Sequence, residues 1–143
     1  MPVTEVVIFH NPDCGTSRNV VRIVEAAGYM PTAVEYLKTG WTKQQLLALF
    51  AAAGIRPREA LRVKKSPAFE LGLTDPSVAD EHVIEAMVAH PILVERPIVV
   101  TAKGTALCRP SEQVLDLLDR LPPGPFAKED GELVIDAEGK RVI

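Results

Sequence analysis

Cysteine is scarce in this chain, with only Cys14 and Cys108 among 143 residues. Two widely separated thiols make a poor disulfide framework for a secreted domain and are more typical of free thiols in a reducing compartment. Together with only three histidines they show no recognisable metal-ligand spacing, so we expect no bound metal. No GxGxxG or P-loop pattern occurs either, and we expect no bound cofactor. With disulfide and metal binding disfavoured, the two cysteines are free to act as reactive thiols.

Strong charge and long apolar runs are also missing. The net charge of -3 gives no general basic field, which argues against a nucleic-acid partner. Residues 1–5 lack the basic and apolar regions of a signal peptide, and no apolar run is long enough to span a bilayer. We expect a cytoplasmic monomer with no membrane partner, built as one domain over residues 1–143.

The first third of the chain predicts a βαβ unit. Residues 4–9 are typical of a buried strand, and residues 33–37 alternate like a second strand. Between them, a helix over 17–27 precedes Gly28 at the stop position. Its apolar side comprises Val20, Val21, Ile23 and Val24. Parallel strands need a crossover helix of about this length.

The middle of the chain predicts a helical insertion, at about residues 42–90. Capping and breaking residues mark its helices: Thr42 with Gln45 and then Gly54 for the first, Pro57 to Arg62 for a short one, and Asp80 to Pro91 for the third. The apolar side of the third helix comprises Val83, Ile84, Met87 and Val88.

The last third predicts a hairpin and one more helix. Residues 96–101 and 105–108 flank a turn at Lys103-Gly104. Pro110 then starts a helix whose apolar side comprises Val114, Leu115, Leu117 and Leu118. Residues 121–125 are expected to end the packed core, which makes 122–143 an appendage. Within it, residues 132–142 form either a small hairpin around Glu138-Gly139 or a solvated surface segment.

Cys14 lies in residues 10–19, HNPDCGTSRN, between the first predicted strand and the first helix. The N-terminus of a helix presents unsatisfied N–H groups and positive dipole charge, which stabilise a thiolate. Gly15 is expected to let the backbone turn and approach closely. The backbone N–H groups of Gly15, Thr16, Ser17 and Arg18 then form an anion cradle. The loop predicts a nucleophile, whereas Cys108 in an apolar strand predicts core packing.

Four separated motifs occur in one order: residues 10–19, HPIL at 90–93, RPIVV at 96–100 and LCRPS at 107–111. With them the chain resembles the glutaredoxin-coupled arsenate reductases of the ArsC family along essentially its whole length, up to residues 128–131. The resemblance implies an α/β, thioredoxin/glutaredoxin-like fold with a mixed four-stranded sheet and a helical insertion. It also implies that Pro97 follows a cis peptide bond.

The same resemblance implies an activity in arsenical resistance. Cys14 would be the catalytic nucleophile that attacks arsenate, with Arg62, Arg96 and Arg109 holding the oxyanion. Guanidinium groups suit this task because they present a rigid fork of donors and stay charged. Glutathione as co-substrate and glutaredoxin as protein partner would supply the electrons.

Residues around Cys14 fit a single-cysteine scheme. Ser17 occupies the position where a dithiol oxidoreductase carries its second cysteine, so an external thiol must regenerate the protein. His10 and Ser17 are candidates for tuning Cys14 through hydrogen bonds or charge. Arg18 is a candidate for helping to hold the anion.

Two alternative functions remain open at this point. The same fold family includes Spx-like regulators that bind RNA polymerase, although those typically carry a Cys-x-x-Cys switch. The second alternative is a glutathione-dependent thiol reductase acting on another substrate.

Overall fold

The computed structural model describes residues 5–143. The chain divides into two compact units. The first comprises the chain up to Glu35 together with Arg96–Ile143, and the second is Tyr36–Glu95. That these units fold as a single domain stays a prediction.

A four-stranded sheet organises the first unit, with strands β1 Val7–His10, β2 Thr32–Glu35, β3 Ile98–Thr101 and β4 Gly104–Leu107. The strand order is β2-β1-β3-β4. β1 pairs with β2 in parallel and with β3 antiparallel, while β3 and β4 form an antiparallel hairpin. The predicted mixed sheet is therefore confirmed. Thr4, with which the first predicted strand begins, lies outside the described residues.

Helix α1, Gly15–Ala26, packs its apolar side into the core of the first unit. Val20, Ile23 and Val24 are fully buried, as the 3.6-residue periodicity predicts. The helix begins at Gly15 rather than at the predicted Ser17, because Cys14 is its N-cap residue.

The C-terminal tail departs most from the prediction. Residues Ser111–Leu117 form a 3₁₀ helix rather than an α-helix. Further on, β5 Phe126–Ala127 pairs with β6 Leu133–Ile135. Val134 and Ile135 are fully buried in the same core as α1. The expectation that the core ends at 121–125 and that the tail is a surface appendage is therefore wrong, since β6 supplies core side chains.

The expected small hairpin at the end of the tail is present. Ile135 and Arg141 form an antiparallel bridge, and the N–H of Asp136 donates to the carbonyl of Lys140 at 2.8 Å. The chain reverses at Gly139, whose φ of 82° lies in the left-handed region that favours glycine.

The second unit is mainly helical, with α2 Tyr36–Thr39, α3 Lys43–Ala53 and α4 Asp80–Ala89. Short 3₁₀ helices cover Pro57–Ala60 and Pro91–Leu93. The predicted second strand was wrong at 36–37, because Tyr36 and Leu37 belong to α2. There, the Tyr36 ring stacks on Trp41 at 5.0 Å and its hydroxyl donates to the carbonyl of Val94.

Helix boundaries in this unit follow the capping rules in part. Thr42 caps α3 by accepting the N–H of Gln45 at 3.1 Å, and Gly54 ends that helix with φ 68°, both as predicted. Asp80 was wrongly assigned as a cap, because it is the first residue of α4, after N-cap Ala79.

Two more expectations fail in the same unit. The short helix ends at Ala60 rather than Arg62, because the next residue, Leu61, forms an antiparallel bridge with Val94. Val88 is 36% exposed, so it does not share the buried side of α4. Across residues 5–143 we find no helix with the length and apolarity needed to cross a bilayer.

Candidate active site

The loop between β1 and α1 places Cys14 at the N-terminus of the helix. The Cys14 N–H donates to the carbonyl of Asn11 at 3.0 Å, and its own carbonyl accepts the N–H of Arg18 at 2.9 Å. The Asn11 side chain accepts the N–H of Asp13 at 2.9 Å, which tightens the turn. Cys14 is therefore held with its sulfur at the first turn of α1.

Two predicted arginines reach the same edge of the sheet. Arg96 lies two residues before β3 and Arg109 two residues after β4, so the antiparallel hairpin brings both to the edge where β1 ends. Arg109 Nη1 lies 3.7 Å from Cys14 Sγ and donates to the carbonyl of Arg96 at 2.9 Å. The Arg96–Pro97 peptide bond is cis, as the resemblance implied. One thiol and two guanidinium groups therefore lie together at this edge of the sheet.

The surroundings of Cys14 favour its thiolate. Burial is the largest influence and by itself raises the pKa of Cys14, whose exposed fraction is 7%. The Ser17 backbone N–H, the Arg96 charge and the Arg109 guanidinium act in the opposite direction. The net result is a pKa of Cys14 below its ordinary value.

We expect this shift to be visible in alkylation kinetics. The rate of Cys14 modification by iodoacetamide should follow the thiolate fraction and fall as the pH drops through the depressed pKa. The midpoint should lie below that of glutathione measured in parallel. A midpoint equal to that of glutathione would contradict activation by the helix terminus and the arginines.

Cys108 provides the internal contrast. It is fully buried within the core, as predicted. Burial, and after it the charge of Asp116, raises its pKa to about 12. The same alkylation experiment should therefore leave Cys108 unmodified in the folded protein near neutral pH.

His10 and Ser17 form one hydrogen-bonded group behind the loop. Fully buried Ser17 accepts the N–H of Asn11 at 3.1 Å, and its Oγ lies 2.5 Å from His10 Nδ1. Burial lowers the pKa of His10; the charge of Glu35 raises it and that of Arg18 lowers it, with a net lowering. A neutral imidazole can accept a hydrogen bond from the Ser17 hydroxyl at Nδ1. Ser17 thus ties the loop to β1.

The remaining supporting residues lie along the first turn of α1. The Arg18 guanidinium contacts the Pro12 carbonyl at 2.9 Å and the Glu129 carboxylate at 3.1 Å. Thr16 is half-buried in the same turn.

The turn expected at Gly15 is not present, whereas the expected close approach of its backbone to an anion stays a prediction. Gly15 is the first residue of α1, and positive φ occurs at other glycines and not at this one. A Cβ here would meet the Arg18 Nη2 atom at 3.6 Å, an ordinary contact. The backbone therefore does not require glycine at this position.

Arg62 belongs to the second unit. Its Nε donates to the Lys64 carbonyl at 2.9 Å, and its backbone N–H donates to the Leu93 carbonyl at 2.7 Å. Ser66 Oγ donates to the Arg62 carbonyl at 2.5 Å. This side chain is locally ordered, and its grouping with Arg96 and Arg109 stays a prediction.

Two contributors were missed by sequence reasoning. Asn11 could have been found, because an Asn-Pro-Asp run is typical of a turn closed by the asparagine side chain. Glu129 had no local signal, since it meets Arg18 only through the fold. Among residues 5–143, no three or more His, Cys, Asp or Glu side chains group in a way that could hold a metal ion.

A cysteine at a helix N-terminus beside a mixed four-stranded sheet defines a thiol-based protein of the thioredoxin-like class. The model of the ArsC family matches residues 9–117. The chain is 66% identical to arsenate reductase ArsI2 of Synechocystis, over 96% of this chain and 98% of that protein. It is 55% identical to the arsenate reductase of Rhizobium meliloti, over 96% and 99%.

A solved structure gives the same result. The arsenate reductase from Vibrio cholerae superimposes with a TM-score of 0.77 at 37% identity, covering 82% of this chain and all of that one. The chain belongs to the ArsC family. The thioredoxin-like fold implied by the sequence motifs is thereby confirmed.

Proposed function

We propose that this protein reduces arsenate to arsenite. One observation supports the chemistry above the others: Arg109 Nη1 lies 3.7 Å from the sulfur of Cys14, a thiol whose pKa is lowered by the same arginine and its neighbours. The arsenate reductase relatives support the choice of substrate.

The substrate would bind as an oxyanion over the start of α1. The N–H groups of Gly15, Thr16 and Ser17 lie in the first turn of α1 and suit a tetrahedral anion, whereas the Arg18 N–H, also expected in the cradle, donates to the Cys14 carbonyl. Arg96 and Arg109 add fixed positive charge at the same sheet edge. By family resemblance, Arg62 completes the set of three guanidinium groups.

The first step forms a bond between Cys14 Sγ and arsenic and breaks one arsenic–oxygen bond. The departing oxygen leaves as hydroxide or, after taking a proton, as water. The arginines neutralise the negative charge on the remaining oxygens, which lowers the barrier to attack by an anionic thiolate. Arsenic is still pentavalent after this step.

External thiols would then carry out the reduction. Glutathione adds its sulfur to arsenic and displaces a second oxygen as water. A glutaredoxin thiolate then attacks the glutathione sulfur and forms a mixed disulfide with it. The bond between arsenic and the glutathione sulfur breaks, and its electron pair stays on arsenic. The arsenic is then trivalent, and hydrolysis of its bond to Cys14 releases arsenite.

The position of Cys108 supports the use of external thiols. It is fully buried, its pKa is raised to about 12, and Ser17 occupies the nearby position that could hold a resolving cysteine. His10 and Ser17 would keep the loop in place, and Arg18 would assist the anion site. We further propose that the protein is a monomer of one domain. It would act in the cytoplasm, where glutathione is kept in its reduced form.

The test is arsenite formation by the purified protein supplied with arsenate, glutathione, glutaredoxin and a regenerating system. We expect turnover that stops when either glutathione or glutaredoxin is omitted. Turnover with thioredoxin alone would overturn the glutathione route. No arsenate-dependent turnover, with tight binding to RNA polymerase, would favour the regulator instead; reduction of a different substrate would favour the general thiol reductase.

Replacing Arg62 with alanine tests the guanidinium from the second unit. If Arg62 contacts the oxyanion, the loss of a charged hydrogen bond should raise the KM for arsenate roughly 10- to 100-fold. Arg56→Ala is the matched control, because Arg56 pairs with Asp80 on the exposed surface of the same unit. Unchanged kinetics at limiting arsenate would remove Arg62 from the site.

A further inference from the structure

The exposed face of α1 carries a chain of contacts from the C-terminal segment to the Cys14 loop. Arg18 Nε donates to both carboxylate oxygens of Glu129, at 3.1 and 3.2 Å. Arg18 Nη1 donates to the Pro12 carbonyl at 2.9 Å, two residues before Cys14. The Arg18 side chain therefore links Glu129 directly to the backbone of the loop.

Glu129 is held in place independently of its own side chain. Its backbone N–H donates to Asn19 Oδ1 at 2.9 Å. The turn around it is closed by the N–H of Gly131, which donates to the Lys128 carbonyl at 2.9 Å. The carboxylate is thus presented to Arg18 from an ordered backbone.

Lys128 anchors this turn to the rest of the first unit. Its Nζ lies 2.7 Å from Glu112 and 2.8 Å from Glu132, and its side chain is only 10% exposed. An isolated surface ion pair contributes little to stability, because ordering two long side chains costs entropy. That cost is smaller when the partners are already held in place by other contacts. The Arg18–Glu129 pair meets that condition.

We propose that Glu129 is a positioning residue for the active site, acting through Arg18. Glu129 directs the Arg18 guanidinium onto the Pro12 carbonyl, and this contact fixes the peptide that leads into Cys14. The anion cradle then keeps its shape while empty. Residues 128–131 therefore support the active site, although they are more than 100 residues from Cys14 along the chain.

Gly15 fits the same arrangement. Arg18 Nη2 lies 3.6 Å from the place where a Cβ on Gly15 would stand, so the guanidinium crosses over the start of α1. Glu129 on Nε and Pro12 on Nη1 fix its plane there. The pair therefore orients a cation at the rim of the cradle.

The experiment is a double-mutant cycle with Glu129→Gln and Arg18→Gln. Two quantities are measured: the KM for arsenate, and the affinity for inorganic phosphate from its protection of Cys14 against iodoacetamide. We expect Glu129→Gln to weaken both about two- to fivefold with kcat changed less, the size typical of a well-placed surface pair. In the Arg18→Gln background the same substitution should have no further effect.

Additive effects of the two substitutions, or an unchanged Glu129→Gln protein, would overturn the proposal. Asp116→Asn is the control, because Asp116 pairs with Arg141 of the same tail, and it should leave both readouts unchanged. Asn19→Ala is a second variant that removes the backbone anchor of Glu129 without changing charge, and it should shift both readouts in the same direction.

The proposal rests on the proposed function for the meaning of KM, but the phosphate readout needs no turnover. If the wild-type protein makes no arsenite, the proposed function fails while phosphate protection still tests Glu129. If turnover is normal and the cycle is additive, only the role of Glu129 fails.

Discussion

Replacing Cys14 with serine is expected to abolish arsenate reduction, with a fall in turnover of at least about a thousandfold. A serine hydroxyl at this site is a far weaker nucleophile than the Cys14 thiolate, whose formation is favoured because the Ser17 N–H and the arginines lower the pKa of the thiol. The measurement is arsenite formation at saturating glutathione and glutaredoxin.

Cys108→Ser is the matched control for that result. The Cys108 sulfur is fully buried, and its pKa of about 12 keeps it protonated under assay conditions. More than half of the wild-type turnover should remain. Equal loss in both serine variants would reassign the chemistry to a mechanism with two protein cysteines.

Replacing Arg109 with alanine should have the second-largest effect, a loss of roughly 10²- to 10³-fold in kcat/KM. Arg109 contacts the sulfur of Cys14 and the carbonyl of Arg96 through the same nitrogen, Nη1. Removing it takes away a charge beside the oxyanion and a donor to the thiolate, in a site where fixed donors contribute strongly. Steady-state kinetics with varied arsenate measure the loss.

The lysine variant separates charge from geometry at this position. Arg109→Lys retains the positive charge, so the pKa of Cys14 measured by alkylation should stay closer to wild type than in Arg109→Ala. Its KM should still rise, since an ammonium lacks the planar fork of donors. Arg141→Ala serves as a control, because it removes an arginine that pairs with Asp116 on the surface. Equal pKa values in all the variants would contradict the electrostatic role of Arg109.

Local sequence signals predicted the Cys14 loop well. A strand, a turn-forming run and a helix follow one another within residues 7–26, so short-range rules apply to all three. The helix was predicted to begin at Ser17 but begins at Gly15, because Cys14 takes the N-cap position and cysteine is not among the usual capping residues. The difference matters for function, because a helix that begins at Gly15 has the Cys14 sulfur directly at its N-terminus.

The convergence on Cys14 depended on long-range pairing. Arg96 and Arg109 meet only because β3 and β4 pair antiparallel next to β1, a register that no local pattern specifies. The family resemblance identified these two arginines, and the strand pairing explains why they lie near Cys14. Glu129 remained undetected because an exposed glutamate in a charged tail has no periodicity or motif to mark its partner.

The C-terminal core was missed for a similar reason. Leu133–Ile135 is a short strand in a charged segment, and only its pairing with Phe126–Ala127 shows that Val134 and Ile135 are buried. At the start of the second unit, Tyr36 has high strand propensity but lies in α2. Its stacking on Trp41 outweighs that propensity.

The most direct test of the account is X-ray absorption at the arsenic edge on protein mixed with arsenate and glutathione, without glutaredoxin. Omitting glutaredoxin should stop the cycle while arsenic is bonded to Cys14. We expect arsenic–sulfur bonds in the protein-bound arsenic of the wild type and their loss in Cys14→Ser. Arsenic coordinated only by oxygen in the wild-type protein, with arsenite still formed on adding glutaredoxin, would contradict attack by the Cys14 thiolate.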